Sequence, residues 1–190
     1  VDAGINTAQI ASATFAIAGI DWPADVKLYL PIANRLQIEN YQFVNDSFAA
    51  LYAGSPTLEG IVSIAGTGGK TAGIFRGKQV QSMGMELGEG GGAGQLVGLA
   101  LEYIAMQFHN TAEASALYEE IPAAMGKEAG INFFESVARN GLKLNESLAP
   151  KIFELADKQD LGALYAVKRT ALQHAKDVCG IAKQLGISDE

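Results

Sequence analysis

Residues 59–80 read "EGIVSIAGTGGKTAGIFRGKQV". Two runs of apolar and β-branched residues, 61–65 and 71–75, flank a cluster of glycines at 66–69. Two such runs joined by a short glycine-rich link are typical of a β-hairpin. The segment therefore predicts a strand, a tight turn and a second strand near the middle of the chain.

The end of the glycine cluster, Gly69-Lys70-Thr71, is similar to the end of a nucleotide-binding P-loop. The P-loop pattern G-x-x-x-x-G-K-[ST] requires a glycine at position 64, where this sequence has Ile64. A P-loop must also open a helix, whereas the following "TAGIFRG" is typical of a strand. We therefore reject the P-loop interpretation and assign Lys70 to the surface of the hairpin.

A different phosphate-binding role remains open for the same glycines. In a tight turn, Gly66, Gly68 and Gly69 can adopt positive φ and bring backbone N–H groups close to an anion. Thr67 can add a hydroxyl donor. The alternative is a plain glycine-rich turn without a ligand, which is a common structure.

Around the hairpin, the hydrophobic pattern predicts an α/β protein, because strands mixed with helices are followed by helices alone. The expected strands are 13–19 and 41–46. A helix should start after "DWPAD" (21–25) and, because it contains Pro31, kink or stop near residue 30. The other expected helices are 46–54, capped by Asp46 or Ser47, 91–108, 132–140, 146–159 and 160–186.

Composition limits the function classes. The chain has 190 residues, is 48% hydrophobic and carries a net charge of −7 with no basic cluster, which argues against nucleic acid and anionic membrane as partners. Its single cysteine, Cys179, cannot form an internal disulfide, so the cytoplasm is the expected location. We expect Cys179 to pack in the core of its helix and expect no dedicated metal site.

Three stretches occur in an order that is characteristic of one family. They are "AGIDWP" (18–23), "VNDSFAALYAG" (44–54) with "GIVSIAGTGG" (60–69), and "MGMELGEGGGAG" (83–94). Together they resemble the BadF/BadG/BcrA/BcrD ATPase family, which includes N-acetylglucosamine kinase and belongs to the sugar kinase, heat-shock-protein-70 and actin superfamily. The tail 148–186 is similar to the helical segment of the family, so the resemblance covers nearly the whole chain.

The resemblance implies an actin-like ATPase fold: two ribonuclease H-like halves, a mixed sheet with flanking helices, and an active site in the cleft between the halves. Residues 1–58 would be the remainder of the first domain and residues 59–190 the second. The family's N-terminal D-G-G-T-type phosphate loop would precede residue 1, and its adenosine motif would follow residue 190. The chain is therefore expected to be a partial one that is inactive by itself.

The resemblance also implies site residues. Asp46 matches the general base that acts on a sugar hydroxyl, although an Asp after a strand is also a common helix N-cap. The phosphate motif of ATP is matched by Gly66, Thr67, Gly68 and Gly69. The substrate-binding positions are Gly19, Asp21, Asn45, Gly84, Gly88, Glu89 and Gly91. The sequence departs from the family at Met83, Glu89 and Gly90, which replace the usual Trp, Asp and Glu.

The function implied is ATP-dependent phosphorylation of an amino sugar, with ATP and Mg²⁺ as cofactors and a homodimer as a compatible assembly. An alternative is an ATPase activator of a dehydratase or reductase. Those relatives share a [4Fe–4S] cluster held by cysteines, and the single cysteine of this chain argues against that role. A non-catalytic fragment of such an ATPase is the third alternative.

Overall fold

The computed structural model describes residues 4, 6–83, 90–139, 141 and 145–187, and it divides the chain into two compact units. Unit 1 contains Val1–Ser63, Thr71–Gly88 and Val178–Glu190, and unit 2 contains Ile64–Lys70 and Glu89–Asp177. The expected boundary between residues 58 and 59 concerns the halves of a larger kinase and stays a prediction.

Unit 1 begins with a β-α-β arrangement of strand β1 (Ala13–Ile17), helix α1 (Val26–Leu36) and strand β2 (Tyr41–Asn45). Parallel strands need a crossover connection, which α1 supplies. The pairing places Ile17 opposite Asn45, so the carboxyl ends of both strands lie side by side. Phe15 stacks on Phe43 with ring centroids 4.9 Å apart. Both predicted strands are confirmed.

Helix α1 runs through Pro31 without stopping there. Of the two expected effects of Pro31, a kink or a stop near residue 30, the stop is wrong, and the reason lies in which hydrogen bond the proline removes. A proline lacks the N–H that would bond to the carbonyl four residues earlier, at Lys27. Both Pro31 and Lys27 are exposed, so water can reach that carbonyl. The helix ends at Leu36, and the following Gln37 has a left-handed φ of 53°.

Helix α2 (Asp46–Gly54) follows β2 directly, as predicted, and its Phe48 and Leu51 pack against Ala72 and Ile74. Those two residues belong to a three-stranded sheet of β3 (Gly60–Ala65), β4 (Gly69–Phe75) and β5 (Lys78–Gln81). The predicted hairpin is confirmed as β3 and β4.

Strand β5 adds a strand to the predicted hairpin and pairs antiparallel with β4. The link between the two strands is Arg76 and Gly77, whose φ angles of 48° and 76° are typical of a type I′ turn. Gly73 lies in close packing: a Cβ there would be 2.7 Å from Leu185 Cδ1 and 2.9 Å from Ile181 Cγ2.

Apart from residues 64–70 at the tip of the β3–β4 hairpin, the secondary structure described in unit 2 is helical. Its helices are α3 (Ala93–Phe108), α4 (Leu117–Ala124), α5 (Ile131–Ala138), α6 (Ala149–Asp157) and the part of α7 (Leu161–Leu185) that ends at Asp177. The sequence pattern did not predict α4. The core is a cluster that includes Leu96, Ile104, Leu117 and Ile152, all nearly inaccessible to solvent.

The last helix follows the predicted range but not the predicted buried face. Its fully buried side chains in unit 2 are the small ones of Ala163 and Ala166, whereas Leu172 is 53% exposed. Cys179 is also exposed, so its expected core position is wrong. Gly186, with φ of 77°, ends the helix as expected. No helix in the described ranges combines the length and the apolar character that spanning a membrane would require.

Candidate functional site

Unit 1 contains a pocket of about 240 Å³ at the carboxyl ends of the parallel strands. The carboxyl edge of parallel strands is a common place for ligands in α/β proteins. We call it the Asp21 pocket, and its lining includes Asp21, Trp22, Phe43, Asn45, Phe48 and Gln81. Two of the predicted substrate residues, Asp21 and Asn45, therefore line the same pocket.

Asn45 is the central polar group of the pocket, with only 4% of its surface exposed. Its Oδ1 accepts hydrogen bonds from the Ser47 amide at 3.0 Å and from the Ser47 hydroxyl at 2.6 Å. Its Nδ2 donates to Asp21 Oδ1 at 3.3 Å. Asn45 is thus the N-cap of α2 and a support for the Asp21 carboxylate at the same time.

Asp25 fixes the loop that carries Asp21. Its Oδ2 accepts hydrogen bonds from the amides of Asp21 at 2.9 Å and Trp22 at 2.8 Å. Gly19, another predicted substrate residue, is exposed and has φ of 81°, which favours glycine. Gly19 shapes the start of this loop and is absent from the lining of the Asp21 pocket.

Gln81, at the end of β5, is a pocket residue that the sequence pattern did not reveal. Its Nε2 donates to the backbone carbonyls of Asp21 at 2.9 Å and Ile20 at 3.3 Å. Its Oε1 is buried and, within the described part of the chain, has no hydrogen-bond partner. An unsatisfied buried acceptor costs about 1–3 kcal/mol. A contact between residues 60 positions apart leaves no local pattern in the sequence.

Asp46 is exposed in the first turn of α2, directly after Asn45. The cap of this helix is Asn45, so the interpretation of Asp46 or Ser47 as the N-cap is wrong by one or two residues. Among the described residues, the Asp46 carboxylate has no hydrogen-bond or ion-pair partner. It does not line the Asp21 pocket. The Asp46 carboxylate therefore does not cap α2, and helix capping is no longer an alternative to a catalytic role.

Unit 2 contains the predicted phosphate motif at residues 66–69, which we call the glycine turn. Two amides of the α3 N-terminus donate to it: Ala93 N–H to Gly66 O at 2.8 Å and Gly94 N–H to Thr67 O at 3.0 Å. The Gly66 amide donates within the turn, to Gly68 O at 3.0 Å. In the described ranges, the amides of Thr67 and Gly68 and the Thr67 hydroxyl make no hydrogen bond, so they are the donors open to an anion.

Within the turn, Gly69 is required by space and not by φ. None of Gly66, Gly68 and Gly69 has positive φ, so the expectation based on left-handed backbone is wrong. A Cβ on Gly69 would lie 2.0 Å from Gly90 O, and a Cβ on Gly92 would lie 2.3 Å from the Gly68 carbonyl carbon. The turn and the segment before α3 therefore pack backbone against backbone.

A second pocket, of about 330 Å³, lies beside the glycine turn in unit 2. We call it the apolar pocket, and its lining includes Gly66, Gly91, Leu96, Phe153, Ala171 and His174. The predicted substrate residue Gly91 has φ of 99°, and a Cβ there would lie 2.6 Å from His174 Nε2. That ring nitrogen is hydrogen-bonded to Gly91 O. The sequence pattern predicts a surface or boundary position for His174, which is half-buried, and gave no role to Phe153.

The remaining predicted substrate residues, Gly84, Gly88 and Glu89, lie outside the described residues. Among the residues that are described, no group of His, Cys, Asp and Glu side chains is arranged so that it could hold a metal ion. The described chemistry therefore consists of the Asp21 pocket with Asp46 beside it in sequence, and the glycine turn with its apolar pocket.

Two solved structures are similar to this chain. One is a candidate N-acetylglucosamine kinase from Chromobacterium violaceum, with a TM-score of 0.62 and 18% identity over 93% of this chain and 61% of that protein. The other is a candidate N-acetylglucosamine kinase from Porphyromonas gingivalis, with a TM-score of 0.55 and 17% identity over 97% of this chain and 74% of that protein.

No protein-family model matches the sequence, and no curated protein matches it at a significant level. At identities of 17–18%, similarity of structure shows a shared fold. The chain is an α/β protein with the fold of these two candidate kinases, and it spans 61% of the length of the first.

Proposed function

We propose that the protein containing this chain is an ATP-dependent kinase that phosphorylates an amino sugar, with an actin-like ATPase fold of two ribonuclease H-like halves. The observation that carries the proposal is in unit 2, where the backbone donors of Thr67 and Gly68, which have no partner among the described residues, lie beside an apolar pocket. A phosphate group requires hydrogen-bond donors, and the heterocyclic base of a nucleotide requires an apolar surface. The fold shared with two candidate N-acetylglucosamine kinases supports the same function.

The apolar pocket suits the base of the nucleotide. Phe153 lines this pocket and is 52% exposed, so its ring is accessible for stacking on a flat heterocycle. The Thr67 and Gly68 amides and the Thr67 hydroxyl would hold phosphate oxygens. Bound ATP would supply the phosphoryl group.

The Asp21 pocket suits the sugar. A sugar presents several hydroxyls, and a pocket with buried polar groups rejects molecules that leave those groups unpaired. Asp21 offers carboxylate oxygens there, and Phe43 and Phe48 offer apolar surface to the ring carbons. Trp22, which is 44% exposed, adds an aromatic face.

Asp46 would act as the general base. It would orient the attacking sugar hydroxyl and take its proton as the new oxygen–phosphorus bond forms and the bond to the leaving diphosphate breaks. Mg²⁺ normally accompanies phosphoryl transfer. The described residues hold no group of metal ligands, so we assign no step to a metal here.

An ATPase activator with a shared iron–sulfur cluster is not favoured by any observation. A [4Fe–4S] cluster takes four thiolates, and a pair of chains with one cysteine each supplies only two.

The cytoplasmic location and the homodimer stay predictions. A non-catalytic relative would bind neither ATP nor an amino sugar productively, and the following experiment distinguishes it.

The test is Asp46→Asn in the full-length protein, assayed with ATP and a panel of amino sugars. Asn removes the proton acceptor, so kcat should fall by roughly 10²–10⁴-fold while ATP binding is retained. Tm should fall by no more than about 3 °C, because only a helix-dipole interaction is lost and the Asn45 cap remains.

The matched control is Glu119→Gln, which removes an exposed carboxylate from the first turn of α4. It should give the same small change in Tm with normal kcat. An Asp46→Asn protein with near-normal kcat would remove the base from the mechanism. A wild-type protein that phosphorylates no amino sugar would overturn the proposed function.

A further inference from the structure

We propose that Gln81 is a positioning residue for substrate binding: it holds the backbone of Asp21 so that the Asp21 carboxylate is correctly placed for the sugar. The inference rests on the proposed function. Gln81 does not act on the reacting atoms, and its effect passes through Asp21.

Asp21 is held at three points by three side chains from different parts of unit 1. Asp25 accepts a hydrogen bond from its amide at 2.9 Å, and Asn45 donates to its carboxylate at 3.3 Å. Gln81 donates to its carbonyl at 2.9 Å. Asp25 belongs to the same loop as Asp21, whereas Asn45 and Gln81 come from other segments of unit 1 and connect the loop to them.

The unpartnered Oε1 of Gln81 separates this role from ordinary packing. A side chain of similar length without polar atoms, such as methionine, would fill the same space without a buried amide oxygen, but the carbonyls of Ile20 and Asp21 would lose their donor. What glutamine adds is a pair of N–H groups directed at the carbonyls of Ile20 and Asp21. A residue with an energetically unfavourable buried polar atom is expected beside a ligand pocket where function requires that residue.

Loss of these two hydrogen bonds should therefore move Asp21 more than it affects the fold. Misplacement of a substrate-binding group by about 1 Å can cost about 10²-fold in rate. The glycine turn belongs to unit 2 and shares no residue with this network. Loss of the Gln81 hydrogen bonds should consequently weaken binding of the sugar and leave binding of the nucleotide unchanged.

The experiment uses Gln81→Met in the full-length protein, with Gln81→Glu as a second variant of equal length that cannot donate when ionised. KM for the amino sugar should rise about tenfold or more, with KM for ATP within about twofold and kcat changed less than the sugar KM. Hydrogen exchange at the Asp21 and Trp22 amides should become faster. Gln184→Met, an exposed glutamine in the same unit, is the matched control.

The outcomes decide between roles. Faster exchange at Asp21 with an unchanged sugar KM would show a structural role only and overturn the inference, as would sugar and ATP KM values that rise together. A wild-type protein that phosphorylates no amino sugar overturns the proposed function and this inference with it. An active wild type with an unchanged sugar KM in both variants overturns the inference alone.

Discussion

The glycine turn and the Asp21 pocket are built in opposite ways. In the glycine turn, backbone packs against backbone, and a Cβ at Gly69 or Gly92 has no room. In the Asp21 pocket, buried side chains of Asn45 and Gln81 hold a loop at its backbone and its carboxylate. The first region therefore depends on side chains that are absent, and the second depends on particular side chains that are present.

This difference predicts opposite responses to mutation, and the largest is Gly69→Ala. The new Cβ would lie 2.0 Å from Gly90 O, an atom of the backbone that cannot rotate away. We expect the free energy of unfolding to fall by about 3 kcal/mol or the protein not to fold at all. Urea unfolding followed by circular dichroism measures the change.

The matched control is Gly98→Ala, in the exposed middle of α3, where nothing lies within 4 Å of the new Cβ. Removing a glycine from an exposed helix interior should stabilise the protein by about 0.5–1 kcal/mol. Equal stability of Gly69→Ala and wild type would mean that the backbone contact at the glycine turn is not present in solution.

The sequence predicted the glycine turn better than the Asp21 pocket, and the reason is physical. A hairpin and the glycines at its tip are local patterns, so residues 60–75 alone indicated the strands β3 and β4. The backbone contact with Gly90 and Gly92 is not local, so the glycines were explained by positive φ and not by lack of space. The predicted hairpin is therefore confirmed, whereas the explanation of its glycines by positive φ is wrong.

The Asp21 pocket depends on contacts between distant segments, which no local pattern records. Asp21 and Asn45 came from a family resemblance, and Gln81 was missed because it acts on a loop 60 residues earlier in the chain. The helix cap was misplaced by one or two residues because Asn45, Asp46 and Ser47 are all good capping residues and only the structure shows which one accepts the amide.

The second prediction tests whether the pocket side chains are required, through Asn45→Ala. This change removes the α2 cap and leaves the Ser47 hydroxyl and Asp21 without their bonds to Asn45. We expect a loss of about 2 kcal/mol in the free energy of unfolding. Thermal or urea unfolding checks it.

The chain contains a matched control with the same local motif. Asn145 is followed by Glu146 and Ser147, and its Oδ1 accepts from the Ser147 amide at 3.0 Å and from the Ser147 hydroxyl, as Asn45 does for Ser47. Asn145 is exposed and caps only the 3₁₀ turn Glu146–Leu148, so Asn145→Ala should cost about 0.5 kcal/mol. Equal costs at the two positions would show that the buried contacts of Asn45 add nothing to its cap.

The smallest expected effect returns to the glycine turn and to Lys70. A P-loop lysine lies where a glycine loop opens a helix, whose N-terminal amides face the phosphates. Here Lys70 is the second residue of strand β4, and the amides of Ala93 and Gly94 at the start of α3 already donate to carbonyls of the turn. Anion binding at this turn is left to the amides of Thr67 and Gly68 and to the Thr67 hydroxyl, which a change of side chain at position 70 does not remove. Lys70→Ala should therefore keep nucleotide affinity of the full-length protein within about threefold, well below the 1.4 kcal/mol of a tenfold change. Isothermal titration calorimetry with ATP measures the affinity. A hundredfold loss would mean that the turn binds phosphate through the Lys70 side chain, and the glycine turn would then depend on a particular side chain as the Asp21 pocket does.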